Sequence, residues 1–198
     1  MIEVFRNKRK HRKRGRGIKV TKLEDRVFID KRPRYINERR ILGDAEADFI
    51  VSGRSGKGIL LTLVDRKIRV TFIEQILEVS IENVHKAFLR IKKRFPELKS
   101  FTTDNDLLFR HHKKLETLLK IKIYFCDPYS SWQKGTIENT NKYIRKDIPK
   151  GSDISRYSKN FIRKIEEKIN RRFMEVLGHE TPSEALTRFR QRKRPRSN

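Results

Sequence analysis

The chain has 198 residues, enough for one domain of ordinary size with extensions, and 50 Lys and Arg against 25 Asp and Glu give it a formal net charge of +25. This excess predicts a polyanionic partner, usually nucleic acid, whereas the lack of an apolar run of about 18 residues excludes a membrane-spanning helix. The single cysteine, Cys126, excludes an intramolecular disulfide and a cysteine-based zinc site, which is typical of a cytoplasmic protein.

Both ends of the chain are strongly basic. Residues 1–22 contain ten Lys and Arg and one acid, Glu3, a pattern that predicts an unstructured arm lying along phosphates. The scattered charges of residues 23–43 indicate a linker. We therefore divide the chain into three parts: a basic N-terminal arm and linker at 1–40, a folded core at 41–187, and a basic C-terminal tail at 188–198.

Three apolar segments open the folded core. Residues 45–51, 59–64 and 70–73 are rich in strand-forming side chains, and a stretch of glycines and serines at 52–58 separates the first two. Together they predict three strands in an antiparallel meander.

Helices and two further strands alternate through the rest of the core. Ser80 predicts the N-cap of a helix that ends before Pro96, and Thr181 with Glu184 predicts a capping box for a last short helix. Between them we predict, in chain order, a strand around 101–103, a helix bearing Leu115, Leu118 and Leu119, a strand over 121–125, and helices near 138–148 and 159–175. This order favours an α/β fold with a mixed five-stranded sheet flanked by helices, the layout of ribonuclease H-like folds.

Three acidic residues lie at positions where a protein that binds nucleic acid through charge alone does not need an acid. Asp48 is inside the first strand, Asp104 closes the fourth, and Glu138 opens a helix after the fifth. If the first and fourth strands are neighbours, the three carboxylates converge. Converging carboxylates repel one another, and a divalent cation such as Mg²⁺ or Mn²⁺ compensates their charge. Two such ions about 3.5–4 Å apart support in-line displacement at phosphorus.

Each acid also has a purely structural interpretation. Asp104 could cap a turn, and Glu138 could favour the helix dipole. Asp48 is harder to explain in this way, because strands disfavour Asp and a core-facing one is destabilising unless paired. Asp44 and Glu46 share its strand face by alternation, so they remain alternatives for the first acid.

Five blocks of sequence carry a resemblance to a known family. They lie at 43–50, 62–67, 101–105, 127–139 and 177–182, and the block that runs into Glu138 is the most specific. They resemble the integrase-core blocks of the IS-thirty family of bacterial insertion-sequence transposases, over roughly residues 25–187. The resemblance implies a retroviral-integrase-like catalytic core at 41–187, metal ligands at Asp48, Asp104 and Glu138, and cutting and joining of DNA.

The resemblance also implies DNA contacts on the helix that begins near Glu138. Such transposases often carry a Lys or Arg where this chain has Arg145, which lies about two helical turns from Glu138 on the same face. Lys134, Asn139 and Lys142 are weaker candidates for the same surface. The alternative for Arg145 is an ordinary solvated helix face.

The chain departs from the family pattern in several places. Ala45 stands where the family usually has Trp, and Asp106 stands where it often has Gly and adds an acid beside the metal site. We expect Trp132, ahead of the Glu138 helix, to fill the core or anchor the loop. The N-terminal helix-turn-helix region of the family has no counterpart before the basic linker, so we expect a truncated or split chain that lacks recognition of element ends.

These observations favour a metal-dependent polynucleotidyl transferase of the bacterial cytoplasm. Water would free a 3′-OH at an element end, and that hydroxyl would join target DNA. The expected partners are DNA and, by resemblance, further copies of the chain, with no membrane. Two alternatives remain: a catalytically inactive remnant that binds nucleic acid by charge alone, and a ribosomal or nucleoid structural protein, which would leave the three acids without a role.

Overall fold

The computed structural model describes residues 25–128 and 130–193. The basic arm predicted at 1–22, Tyr129 and residues 194–198 lie outside the described residues. Within these ranges, no helix has both the length and the apolar character that crossing a lipid bilayer requires.

A mixed five-stranded sheet forms the centre of the molecule. Its strands are β1 (Asp44–Val51), β2 (Ile59–Asp65), β3 (Thr71–Ile76), β4 (Ser100–Thr103) and β5 (Lys122–Phe125). They lie in the order β3-β2-β1-β4-β5, with β3, β2 and β1 antiparallel and β1, β4 and β5 parallel. The predicted meander and mixed sheet are confirmed, and the first and fourth strands are neighbours as the convergence of the acids requires.

Six α-helices connect and cover the strands within the described residues. They are α1 (Arg34–Asn37), α2 (Ile81–Arg94), α3 (His112–Leu119), α4 (Gly135–Asp147), α5 (Lys159–Asn170) and α6 (Pro182–Lys193). The predicted caps are present: Ser80 accepts a hydrogen bond from the backbone N–H of Asn83 at 3.1 Å, and Thr181 and Glu184 form a reciprocal capping box. Local side-chain chemistry therefore fixes where these two helices begin.

The two faces of the sheet carry separate apolar clusters. Leu61 and Leu63 of β2 pack with Phe88 of α2 on one face, whereas Leu60 of the same strand packs with Ile144 of α4 on the other. Because helices cover both faces, β2 is apolar at nearly every position instead of alternating. The layer that contains α4 and α5 is the one that brings Glu138 to the sheet.

Helix α5 ends at Asn170, earlier than the predicted limit of 175, and the side chain of Asn170 bonds to the edge of the sheet. Its side-chain amide accepts from the backbone N–H of Thr71 and donates to the carbonyl of Thr71, both at 2.8 Å. Glu166, one turn earlier, accepts from the backbone N–H of Ile73 at 2.6 Å. Two side chains of α5 thus bond outward-facing backbone groups of β3 at Thr71 and Ile73. At the opposite edge, the backbone N–H of Phe125 in β5 donates to the backbone carbonyl of Val27 at 2.9 Å.

The linker predicted at 23–43 is instead largely folded onto the core. Ile36 and Leu42 are both buried, and Arg32 donates a hydrogen bond to Thr102 of β4 at 2.8 Å. The sequence carried little sign of this, because short apolar pairs among charges show no helical or strand periodicity.

Helix α6 continues beyond residue 188, where we predicted the basic tail to begin. Leu186 and Phe189 pack against the core, and the guanidinium of Arg190 forms two hydrogen bonds with the carboxylate of Glu97, at 2.9 and 3.0 Å. Basic residues that suggested a tail therefore lie on a docked helix as far as Lys193.

Candidate active site

Two of the three predicted acids meet where β1 and β4 run in parallel. The pairing of these strands ends with Glu46 opposite Thr102, and Asp48 and Asp104 each follow two residues later. The ammonium of Lys134 lies between them, 3.1 Å from Asp48 Oδ1 and 3.2 Å from Asp104 Oδ2. One cation therefore bridges both carboxylates.

The second oxygen of Asp48 is also held. Asn141 of α4 donates to Asp48 Oδ2 at 2.8 Å, and its own carbonyl oxygen accepts from the hydroxyl of Thr62 at 3.2 Å. Burial raises the pKa of the Asp48 carboxyl, and the ammonium of Lys134 opposes that shift without cancelling it. Sequence reasoning missed Asn141, although its position three residues after Glu138 places both on neighbouring parts of one helix surface.

Glu138 lies in the first turn of α4 and is partly exposed. Within the described residues it forms no hydrogen bond or ion pair through its carboxylate, and no group of three or more His, Cys, Asp and Glu side chains is gathered tightly enough to hold a metal ion. It does open onto the same cleft of about 860 Å³ as both aspartates. The polar residues that line this cleft are Arg26, Asp48, Asp104, Asn105, Asp106, Asp127, Ser130, Lys134 and Glu138.

Glu46 has a structural task of its own. One carboxylate oxygen pairs with Arg66 at 3.0 Å, and the other accepts from the backbone N–H of Ile137 at 2.9 Å, at the start of α4. A buried carboxylate thus joins β1 to the helix N-terminus, where the helix dipole favours negative charge. This contact sets the position of Glu138 relative to Asp48.

Asp44 also has a structural contact, through one carboxylate oxygen, and it does not line the cleft. Its carboxylate is buried and accepts from the hydroxyl of Ser100 at 2.6 Å. Of the three acids that alternate along this face of β1, only Asp48 lines the cleft.

The residues that follow Asp104 shape the end of β4. The amide of Asn105 donates to the carbonyl of Cys126 at 3.0 Å, which ties the ends of β4 and β5 together. Asp106 accepts from the backbone N–H of Leu108 at 2.8 Å and caps a short 3-10 turn. Burial raises the pKa of Asp106, and the charge of Asp104 adds to that shift. Where the family often has Gly, this chain therefore has a turn cap facing the site.

The four residues expected to face DNA occupy different environments. Lys134 does not lie on the exposed surface where we expected it: its relative accessibility is 5%, because the two aspartates compensate the burial of its charge. Asn139 and Lys142 are exposed on α4. The guanidinium of Arg145 lies at the far end of α4 and donates to the carbonyl of Pro149 at 3.2 Å.

Trp132 does not fill the core, because its relative accessibility is 73%. It belongs to a 3-10 turn ahead of α4 that is anchored by its neighbour Gln133. The side-chain amide of Gln133 donates to the carboxylate of Asp127 and accepts from the backbone N–H of the same residue, both at 2.9 Å. These two hydrogen bonds, and not the aromatic ring, therefore hold the loop that places Lys134 beside the aspartates.

Comparison with known proteins shows that the chain is similar to several insertion-sequence transposases. The transposase for insertion sequence element IS4351 of Bacteroides fragilis is 38% identical over 178 residues, which covers 89% of this chain and 53% of that protein. Transposase InsI for element IS30A of Escherichia coli (strain K12) is 35% identical over 189 residues, or 93% and 48%. The chain spans about half the length of these curated relatives. No protein-family model matches it.

Solved structures confirm the predicted fold. The catalytic core domain of BIV integrase superimposes with a TM-score of 0.57 at 16% sequence identity, over 76% of this chain and 97% of that domain. At this identity the likeness shows the fold alone, which is the ribonuclease H-like integrase core.

Proposed function

The chain is a homologue of the insertion-sequence transposases of the IS-thirty family, and on that premise we propose that it is the catalytic core of a transposase that cleaves and joins DNA strands. The observation that carries the proposal is the cleft in which Asp48 and Asp104 share one cation while Glu138 faces them. A structural basic protein has no need of such a cleft, because its acids would serve as well on the surface.

We assign Asp48, Asp104 and Glu138 as the ligands of the Mg²⁺ or Mn²⁺ ions that this chemistry needs. The donor set is made of carboxylate oxygens, which hard divalent cations prefer. Asp104 Oδ1 is buried without a hydrogen-bond partner in the described residues, so it keeps a free acceptor. A pair of ions bound there would stabilise the attacking and leaving oxygens at phosphorus.

The chain's own residues supply the positioning. Asn141 holds one oxygen of Asp48, and Glu46 fixes the start of α4 against β1. Both contacts exist before substrate binds, so little reorganisation remains for the reaction itself. Lys134 serves as the counter-ion of the two aspartates in the metal-free protein, which lets them lie together without strong repulsion.

The proposed reaction has two displacements at phosphorus. Water attacks a phosphodiester at the element end, the bond to the 3′ oxygen breaks, and the freed 3′-OH takes up a proton. That hydroxyl then attacks a phosphodiester of target DNA, loses its proton, and releases a new 3′-OH. One phosphodiester forms for each one broken in the second step, so no high-energy cofactor is consumed.

DNA is the proposed partner because the chain carries a net charge of +25. Asn139, Lys142 and Arg145 extend from the Glu138 turn along α4 and would contact phosphates, which position DNA without reading sequence. Several copies would assemble on the element ends and the target within the bacterial cytoplasm. The basic arm, the core at 41–187 and the basic tail would form one DNA-binding unit.

The test is nicking of supercoiled plasmid by the purified chain with Mg²⁺ or Mn²⁺. We expect Asp104→Asn and Glu138→Gln each to lower the rate by at least about 100-fold, beyond the loss usual for residues that only support a ligand. Glu167→Gln, which removes an exposed carboxylate of α5, is the matched control and should nick normally.

Two results would oppose the proposal. Nicking that continues without divalent metal, or that survives both substitutions, would point to another site or a contaminant. No nicking by any variant, with salt-sensitive DNA binding intact, would favour the inactive remnant that binds nucleic acid by charge.

A further inference from the structure

A second basic cleft lies on a different face of α4 from Glu138. We call it the arginine cleft. Its polar and aromatic lining consists of Arg39, Arg69, Thr136, Asn139, Thr140, Tyr143, Arg172, Phe173 and Glu175. Thr136 and Tyr143 are turned away from the Glu138 face by helical periodicity, so the two clefts flank the same helix. Asn139 is exposed next to Glu138 and lies on the rim between them.

Two guanidinium groups converge inside the arginine cleft. Arg39 Nη2 lies 3.4 Å from Thr136 Oγ1, and Arg69 Nη1 lies 3.3 Å from the same oxygen. Neither forms an ion pair with a carboxylate in residues 25–128 and 130–193. Two positive charges that share one neutral acceptor repel each other, and an anion placed between them would remove that repulsion.

Burial dominates the environment of Arg69, and the carboxylates of Glu46 and Asp65 oppose its effect on the pKa of Arg69. Burial lowers the pKa of Arg69 to about 10, and the neighbouring charge of Arg39 adds to the effect. The site is therefore a place where positive charge is held at some free-energy cost, which a bound polyanion would offset.

A third guanidinium is held in a fixed orientation nearby. Arg172 lies over the ring of Tyr143, with its central carbon 3.5 Å from the ring centroid. Stacking restrains the guanidinium plane while its N–H groups stay available, and such a planar fork matches the oxygens of phosphate.

Carboxylate pairing differs among the half-buried arginines of the described residues. Arg94 and Arg163 both contact Glu74 and Glu166 between α2 and α5, whereas Arg145, among these same residues, donates only to backbone carbonyls. The acid that lines the arginine cleft, Glu175, is exposed and forms no ion pair within the described part of the chain. The distinguishing feature of the arginine cleft is that three arginines without an ion pair in the described ranges lie together there.

We propose that the arginine cleft binds the phosphate backbone of DNA beside the candidate active site. A strand that leaves the Glu138 cleft across Asn139 reaches Arg39, Arg69 and Arg172 on the neighbouring face of α4. The site holds DNA in register along the helix and reads no sequence. This inference rests on the proposed function for its ligand and adds a binding site to it.

The test compares DNA binding by two double variants without divalent metal. Arg39→Gln with Arg69→Gln removes two charges from the cleft, and Arg34→Gln with Arg156→Gln removes two from exposed positions elsewhere. Affinity for a 30-base-pair duplex is measured by fluorescence anisotropy across a series of NaCl concentrations. We expect the cleft variant to bind about 10- to 30-fold more weakly at physiological salt, with a salt slope smaller by about 2.

The control variant should lose much less affinity. Equal losses in the two variants would overturn the proposal, because the cleft would then contribute only general charge. An equal loss of affinity for a poly-glutamate peptide in the cleft variant would also overturn it, since the cleft would then recognise carboxylates as well as phosphates. If the double variant does not fold, Arg39→Gln alone changes an exposed side chain and should reduce the slope by about 1.

This measurement is independent of the plasmid-nicking assay. Failure of the nicking assay refutes the transposase proposal and leaves the binding result standing. Equal binding by the cleft and control variants refutes the arginine cleft even when metal-dependent nicking is found.

Discussion

Replacing Lys134 with methionine removes the cation that bridges Asp48 and Asp104 and keeps most of the side-chain volume. Breaking a buried ion pair usually costs about 3–5 kcal/mol, but the side chains of Asp48 and Asp104 are 21% and 49% exposed, so water screens them. We therefore expect a loss of about 1–2 kcal/mol in the metal-free protein. In a chain of this size that lowers the melting temperature by roughly 2–8 °C.

The same substitution should strengthen metal binding. In the unchanged protein a divalent ion must displace the ammonium from both carboxylates, whereas in Lys134→Met that displacement is no longer needed. A gain of about 1–2 kcal/mol corresponds to roughly 5- to 30-fold tighter binding of Mn²⁺. Isothermal titration calorimetry with Mn²⁺ measures this directly, and melting curves with and without Mn²⁺ provide a second measure.

Lys142→Met is the matched control, because it removes an exposed ammonium from α4 outside the aspartate pair. It should change neither the melting temperature nor Mn²⁺ affinity beyond a small effect of net charge. Unchanged or weaker Mn²⁺ binding in Lys134→Met would refute the reasoning and would mean that the lysine supports the bound metal. Loss of Mn²⁺ binding in Asp104→Asn is needed to show that the measured ion occupies this site.

Three further predictions concern the contacts that hold the site and the sheet. Glu46→Gln leaves the buried charge of Arg66 without its partner and should lower the free energy of unfolding in urea by about 3 kcal/mol; an unchanged value would show that Glu46 does not anchor α4. Asn170→Ala leaves two backbone groups of β3 unsatisfied and should cost about 2–3 kcal/mol in the same assay, with an exposed Asn139→Ala as a nearly neutral control. Burial raises the pKa of Asp65 to about 6, above its unfolded value near 4, so the folded state binds the proton more tightly. The stability of the protein relative to Asp65→Asn should fall by about 3 kcal/mol as pH rises from about 4 to 6, and a constant difference across that window would contradict the assignment.

The strands and the helix starts could be predicted from sequence because the patterns that indicate them are local. Strand-forming runs, the cap at Ser80 and the capping box at Thr181 each depend on residues within one turn or one strand. The segment around Ile36 was not accessible in this way, since its burial depends on residues of β4 that lie far along the chain. The contact of the Asn170 side chain depends in the same way on the backbone of β3.

The acids of the cleft were predicted from their placement, but their partners were not. Alternation put Asp44, Glu46 and Asp48 on one face of β1, and only tertiary contacts separate a structural carboxylate from one that lines the cleft. Lys134 suggested a surface contact because lysine is rarely buried, and the pair of aspartates that makes its burial favourable forms only in the folded chain. Asn141 gave no signal beyond its spacing from Glu138.

The side chains of Glu166 and Asn170 on β3 have a consequence for how copies of the chain can associate. These two side chains of α5 bond the backbone N–H of Ile73 and both backbone groups of Thr71, to which a foreign strand would pair, and at the other edge the backbone N–H of Phe125 donates to the carbonyl of Val27. Pairing with a strand of another copy would first have to break these hydrogen bonds, which disfavours sheet extension as a route to aggregation.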